Sequence, residues 1–169
     1  MHPVEVKRQL SGLVCLVDTR EQDTPRARRR LDGIGLPIER TALLFGDYSA
    51  RCGALDLRNA VSIERKMDLD EIANCYCRDR PRFEREFERA RTAGAKVYLL
   101  VENGSWEQAY TGRYRSRMRP EALVASITAW LARYNCQLLF CREETSGKLI
   151  RDILFREMKE RLEALEDEP

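Results

Sequence analysis

Asp47 and, after sixteen intervening residues, the run Glu64-Arg65-Lys66 are the side chains of this sequence whose types and spacing suit chemistry. In an extended strand side chains alternate, so Glu64 and Lys66 share one face while Arg65 takes the other. A hairpin through the intervening residues brings Asp47 beside them. Two carboxylates on one surface repel unless a cation lies between them, and an all-oxygen donor set suits Mg2+ or Mn2+ rather than zinc. Asp47, Glu64 and the backbone carbonyl of Arg65 are candidate ligands. Lys66 would then hold or deprotonate a water, or neutralise charge on a pentacoordinate phosphate. That is phosphodiesterase chemistry, although the same residues also fit an exposed strand of alternating charges.

What is scarce narrows the choice further. His2 is the single histidine, next to the initiator, so chemistry that needs a placed imidazole is disfavoured: Ser-His-Asp and Cys-His hydrolases, zincins, and nucleases with a histidine base. The six cysteines, at 15, 52, 75, 77, 136 and 141, include no CxxC pair and read as reduced thiols. Gly147-Lys148 lacks the flanking residues of a phosphate loop, and Gly33-Ile34-Gly35 lacks the third glycine of a dinucleotide fold, so no nucleotide cofactor is expected. The apolar run 12–17 is too short for a signal-peptide core, and nothing approaches a membrane span. The expected setting is cytoplasmic, nucleoid-associated, or nuclear in a eukaryote.

Length, 169 residues, suits one domain. Apolar residues make up 43% and charged residues 34%, enough for a core beneath a heavily charged surface. The net charge is +2; without the acidic tail of Glu163, Glu166, Asp167 and Glu168 it rises to +6. Of the 30 basic residues 25 are arginine, whose planar fork suits phosphate, although an arginine-rich genome would give the same composition.

Periodicity supplies the elements that must position the site. Residues 13–17 are a strand buried on both faces, 25–31 a short basic helix, and 38–44 a strand broken by Gly46 and Asp47. Residues 48–52 and 60–64 form the hairpin. Asp68 or Asp70 caps a helix from near Leu69; Phe83, Phe87 and Ala90 mark the buried face of the next, which Gly94 ends. A second apolar strand spans 97–101. Pro120 opens a third helix whose inner stripe is Leu123, Ile127, Trp130, Leu131 and Tyr134, then come a last strand at 137–141 and a terminal helix over about 148–165. The predicted fold class is α/β, a mixed β-sheet flanked by helices, with Asp18, Asp47, Glu64 and Lys66 at strand ends or in the hairpin.

Taken together, Asp18-Thr19-Arg20-Glu21, Gly46-Asp47-Tyr48 and Glu64-Arg65-Lys66 followed by Asp70 resemble the D-x-R-E, G-D-Y and E-R-K-x-x-x-D motifs of the XPF-type structure-specific endonucleases. Arg82-Phe83 is similar to the arginine that opens the family's next helix, and 97–102 to its apolar strand. The resemblance spans roughly 13–155. It implies a restriction-endonuclease-like core, related to the PD-(D/E)XK nucleases, that needs Mg2+ or Mn2+ and cleaves branched or flapped DNA, leaving a 5′-phosphate and a 3′-hydroxyl. By the motif match Asp47 and Glu64 are metal ligands, Asp18 and Glu21 acidic partners of the metal or its water, and Lys66 the catalytic lysine. Arg20, Arg65, Asp70 and Arg82 match positions that build the site or hold the scissile strand; strand alternation turns Arg65 away from Glu64.

The sequence carries no helicase region and no tandem helix-hairpin-helix domain, so the resemblance implies DNA contact from the domain itself, from a second copy in a homodimer, or from a partner protein. Candidate contacts are Arg26, Arg28, Arg29 and Arg30, and the run 112–119, where Arg113, Arg115 and Arg117 alternate with other residues and Tyr114 is available to stack on an unpaired base. The same run also reads as a solvated loop whose arginines pair with Glu102, Glu107 and Glu121. Two alternatives stand beside the nuclease: a non-catalytic DNA-binding or dimerisation module that keeps the motif, and a four-way-junction resolvase of related fold.

Overall fold

Helices and strands alternate along the chain as follows, in a computed structural model that describes residues 1–53 and 55–165: α1 (Pro3–Leu10), β1 (Val14–Asp18), α2 (Pro25–Ile34), β2 (Ile38–Thr41), β3 (Tyr48–Cys52), β4 (Leu55–Asp56), β5 (Val61–Lys66), α3 (Leu69–Cys77), α4 (Arg80–Thr92), β6 (Lys96–Glu102), α5 (Trp106–Thr111), α6 (Pro120–Arg133), β7 (Cys136–Cys141) and α7 (Glu143–Ala164). The strands form one mixed sheet in the order β2-β1-β3-β5-β6-β7, with β4 paired to β3. β1 runs parallel to β2 and antiparallel to β3; β3 runs antiparallel to β5; β5, β6 and β7 are parallel. This is the predicted α/β class. Glu166, Asp167 and Glu168 of the acidic tail lie outside the described residues.

Strand alternation sorts the apolar side chains into two cores, one on each face. Cys15 and Val17 of β1, Tyr48 and Ala50 of β3, Val61 and Ile63 of β5 and Leu100 of β6 pack with Ile34 of α2 and Ile150, Leu154 and Met158 of α7. Val97, Leu99 and Val101 of β6 point the other way, against Ile72 of α3, Phe83 and Phe87 of α4, and Leu123, Ile127 and Trp130 of α6. Trp130 stacks on Phe83 with ring centroids 5.4 Å apart. Burying apolar surface at roughly 25 cal/mol per Å² on both faces fixes the register, because a one-residue slip of β5 or β6 would exchange the two cores.

Several boundaries differ from expectation, each for a local reason. β2 ends at Thr41, because the Leu43 N–H leaves the ladder and donates to Asp18 Oδ2 at 2.8 Å. The last strand starts one residue early, at Cys136. Two helices escaped the periodicity reading, α1 and α5; they are eight and six residues long and bury only Val6 and Ala109. α7 begins at Glu143, five residues before the expected start, and so carries Ser146 and Gly147 into its first turns. That matters for packing: a Cβ on Gly147 would sit 2.3 Å from the Arg30 carbonyl oxygen, so α7 crosses α2 in close backbone contact. Arg78 falls between α3 and α4, off the helix that carries Arg82, Arg85 and Arg89.

Candidate active site

The alternation that builds the two cores also divides the charged residues. On β5, Ile63 and Arg65 face the α2/α7 side, whereas Glu64 and Lys66 face α3 and α4. Asp47 comes to the same side as Glu64 through the turn before β3. Gly46 makes that turn with φ of +72°, and a Cβ there would lie 2.6 Å from Ser62 Oγ, so only glycine lets the chain approach β5 this closely. Asp47 is then pinned by its backbone, N–H to the Ile63 carbonyl at 2.8 Å and carbonyl from the Asp18 N–H at 2.9 Å. Its Oδ2 accepts the Arg65 N–H at 2.8 Å.

These side chains line an open cleft of about 570 Å³ at the carboxyl ends of β1 and β5, walled by α3 and α4. Glu64 and Lys66 are nearly buried, and Lys66 Nζ lies 2.5 Å from Glu64 Oε1 and 5.2 Å from the Phe83 ring centre. Burial and then the neighbouring Glu64 charge push the Asp47 carboxyl well above the usual carboxylate range, against the pull of Lys66 and the Arg65 N–H. Burial and Glu64 raise Glu86 in the same way. Burial opposes the Lys66 ammonium, yet Glu64 and Asp47 outweigh it and hold the lysine charged. Asp47 and Glu64 therefore present two carboxyl groups to one ammonium, in a cleft that Cys75, Arg20 and Arg82 also line.

Asp47 and Glu64 thus fit a hard divalent cation: a carboxyl group whose ionisation is opposed by burial and a neighbouring carboxylate is one whose ionisation a cation would favour. Among the described residues no three acidic, histidine or cysteine side chains converge on one metal position. An ion held here would take its remaining ligands from water and phosphate, as Mg2+ does.

The other expected acids serve elsewhere. Asp18 is buried and does not line the cleft; its carboxylate is saturated by the Arg20 N–H at 2.8 Å, Arg20 Nε at 2.7 Å and the Leu43 N–H. Arg20 does line the cleft and reaches Glu86 at 3.1 Å. Glu21 reaches the cleft rim, but its Oε1 accepts Arg30 Nη2 at 2.7 Å. Asp70 turns away from the cleft: it accepts the N–H groups of Arg115 at 2.8 Å and Ser116 at 2.6 Å, and Arg115 Nε at 3.2 Å. Asp68, which caps α3 by accepting the Glu71 N–H, leaves Asp70 free for that task.

Behind the sheet lies a charge network that sequence reasoning missed. Glu102, fully buried at the end of β6, meets Arg65 Nη1 at 3.3 Å, Arg30 Nη1 at 3.4 Å and Arg26. Arg30 Nε also donates to the Tyr48 hydroxyl at 2.8 Å. Arg65 meets Glu102 on the face opposite Glu64, as its strand position implied, and with Arg26 and Arg30 it also lines the α2 side of the cleft. Arg30 is a buried structural arginine and Arg28 is paired to Asp23 at 2.7 Å, which corrects their reading as DNA contacts. The signal in the sequence was a lone charge closing an all-apolar strand, Glu102 after Val101, opposite a basic helix.

In the 112–119 run Arg115 pairs with Asp70 and Arg119 with Glu121, while Arg113 Nε donates to Thr111 Oγ1. Tyr114 is not a free stacking ring, since it is half-buried against the α6 core and its hydroxyl donates to the Met118 carbonyl at 2.8 Å. Arg117 is exposed, and so is Arg82 on the cleft wall.

Comparison with known proteins closes the geometry. The sequence model of the ERCC4 domain matches residues 17–153. Among solved structures the chain is similar to XPF from Aeropyrum pernix, with TM-score 0.61 and 21% identity over 90% of this chain and 62% of that one. It is similar also to XPF from Aeropyrum pernix in complex with DNA, with TM-score 0.62 and 21% identity over 91% of this chain and 68% of that one. These likenesses show the fold, and the chain spans less than two thirds of the first structure's length. No curated protein matches it.

Proposed function

Because this chain belongs to the ERCC4 domain family, the XPF-type nuclease domains, we propose that it is a metal-dependent endonuclease cutting phosphodiester bonds in branched or flapped DNA. One observation carries the reading: Asp47, Glu64 and Lys66 meet on one face of the sheet, at the floor of an open cleft of about 570 Å³. Asp47 and Glu64 would hold Mg2+ or Mn2+, which when bound would supply an activated water and a counter-charge for the phosphate. Arg82, on α4, and Arg20, which is held beside α4 by Glu86, both line the cleft and would orient the scissile phosphate through charge-assisted hydrogen bonds. Lys66, kept protonated by Glu64, places positive charge where the phosphate gains negative charge on attack. Asp47, with its raised carboxyl, is the group whose ionisation couples proton loss to metal uptake. The products are a 5′-phosphate and a 3′-hydroxyl. We read residues 13–155 as one nuclease core, with junction recognition shared with a second copy or a partner protein.

The test is cleavage of labelled flaps, forks, four-way junctions and duplex in Mg2+, Mn2+ and EDTA, by wild type, Asp47→Asn and Lys66→Ala. Metal-dependent cutting of flaps or forks by wild type alone supports the proposal. Binding by all three proteins without cutting by any would mark a non-catalytic module, and a preference for four-way junctions a resolvase.

A further inference from the structure

A second groove, of about 590 Å³, opens beside the cleft between the C-terminal end of α3 and the loop before α6. Arg78, the C-terminal cap of α3, forms one wall, and Arg115, Arg117 and Met118 form the other. Asn74 lines both this groove and the cleft, so the two adjoin. We infer that the groove is a phosphate-binding subsite that receives the DNA strand as it leaves the cleft. The inference rests on the nuclease reading for its substrate.

The charge pattern carries it. Some exposed arginines face carboxylates, as Arg8 does Glu5, Arg91 does Glu88 and Arg156 does Glu160, and others, such as Arg29, Arg40 and Arg142, do not, but the latter line neither the cleft nor this groove. Among the described residues neither Arg78 nor Arg117 has a carboxylate within 4.0 Å, and the same holds for Arg82 in the cleft. Two unneutralised guanidiniums on one groove repel each other, and an anion bridging them removes that cost; the planar fork matches phosphate oxygens. A helix C-terminus accounts for a cation at Arg78, but not for a second one across the groove.

The loop is also built to hold its shape. Asp70 accepts its N–H groups at Arg115 and Ser116, and the Tyr114 hydroxyl closes on the Met118 carbonyl. Arg117 is thus presented from a fixed loop, and Arg115, though in the groove, is neutralised by Asp70. Arg82 in the cleft, Asn74 on the shared wall, and Arg78 and Arg117 in the groove would offer a polyanion successive contacts. An isolated anion would need no such succession.

The experiment uses the full chain with Arg78→Ala and Arg117→Ala combined, and Arg8→Ala with Arg156→Ala as a control of equal charge loss. A fluorescein-labelled flapped duplex is titrated in EDTA by anisotropy across a salt series, which reads binding without cleavage. The groove variant is expected to bind roughly tenfold more weakly at about 100 mM salt, and its salt slope to fall by about 1.4–1.8, the loss of two phosphate contacts. The control should stay within about twofold of wild type with an unchanged slope. On DNA trimmed to a few nucleotides past the branch, wild type should fall to the level of the groove variant. Equal affinity and equal slope for the groove variant and the control would overturn the inference, whether or not wild type cuts DNA. Absence of cutting by wild type, with the slope difference intact, would instead overturn the nuclease reading and leave the subsite standing.

Discussion

Lys66 Nζ lies 2.5 Å from Glu64 Oε1, two residues back on the same strand, with Asp47 delivered to the same face by an intervening turn. Glu64 and Asp47 favour the charged form of this lysine, so in the proposed reaction it would act through its charge rather than as a base.

Replacing Lys66 with alanine should therefore remove transition-state charge stabilisation rather than substrate binding. Single-turnover cleavage is expected to fall about 10²–10³-fold, with DNA affinity in EDTA changed less than about threefold. Lys66→Arg should not restore the rate, because a planar fork cannot occupy the space between Glu64 and the Phe83 ring as an ammonium does. Full activity of Lys66→Ala would exclude the lysine from the chemistry.

Asp47 gives the pH dependence. Its folded carboxyl titrates above its unfolded value of 3.8, so in the window between them the folded state holds the extra proton and stability falls as pH rises. Above that window the penalty is constant. Asp47→Asn should thus raise the thermal midpoint by a few degrees at pH 7, about 2–4 °C per kcal/mol for a chain of this size, while abolishing cleavage. The gain should disappear near pH 3. Mg2+ uptake and cleavage by wild type should both rise as pH climbs through the raised Asp47 titration, since the metal competes with the Asp47 proton. A rate independent of pH wherever the protein stays folded would count against this assignment.

Much of this was legible because it depends on parity and on turn-forming residues. Glu64 and Lys66 share a face, and Arg65 opposes them, for the same reason that Val61 and Ile63 reach one core while Leu99 and Val101 reach the other. The class of fold followed from apolar runs alternating with helical periods. Partners set by three-dimensional packing were not legible. Nothing local distinguishes Asp70 holding a loop 45 residues on from Asp70 in a cleft, and Asp18 is withdrawn from the cleft by Arg20 and the Leu43 N–H. Arg30 lies on a helix that reads as solvated and basic, yet α7 crosses so closely at Gly147 that Arg30 is driven inward onto Tyr48 and Glu102.

Glu102 is the acid on which the arginine network depends. Burial opposes its charge, but hydrogen bonds from Ser146 and Arg26 and the charges of Arg65 and Arg30 outweigh that and lower its carboxyl. A carboxyl lowered on folding contributes stability above its unfolded value of 4.5, and that contribution is lost as pH falls through the folded value. Glu102→Gln strands three arginines around a neutral amide, for which about 3 kcal/mol of destabilisation is expected at pH 7. The difference from wild type in urea unfolding should narrow below about pH 4. A constant difference from pH 7 to pH 3 would show that packing, not charge, is what Glu102 supplies.

Gly147 tests the mechanical link between the two helices. Alanine in a helix interior ordinarily stabilises by roughly 0.5–1 kcal/mol relative to glycine. Here the added Cβ would meet the Arg30 carbonyl oxygen at 2.3 Å and Gly33 backbone at 3.0 Å, both unable to yield without moving α2. The sign should invert, to a loss of about 1–3 kcal/mol from overpacking, whereas Gly12→Ala, with its nearest backbone oxygen at 3.5 Å, should be close to neutral. Because α2 carries Arg26 and Arg30, displacing it should also loosen Glu102 and Arg65, and through the Arg65 N–H the Asp47 carboxylate. Gly147→Ala is therefore expected to reduce cleavage several-fold at a temperature where the variant is still fully folded by circular dichroism, with weaker Mg2+ uptake. A variant that loses stability but cuts at the wild-type rate would confine the α2/α7 contact to folding and separate it from the site.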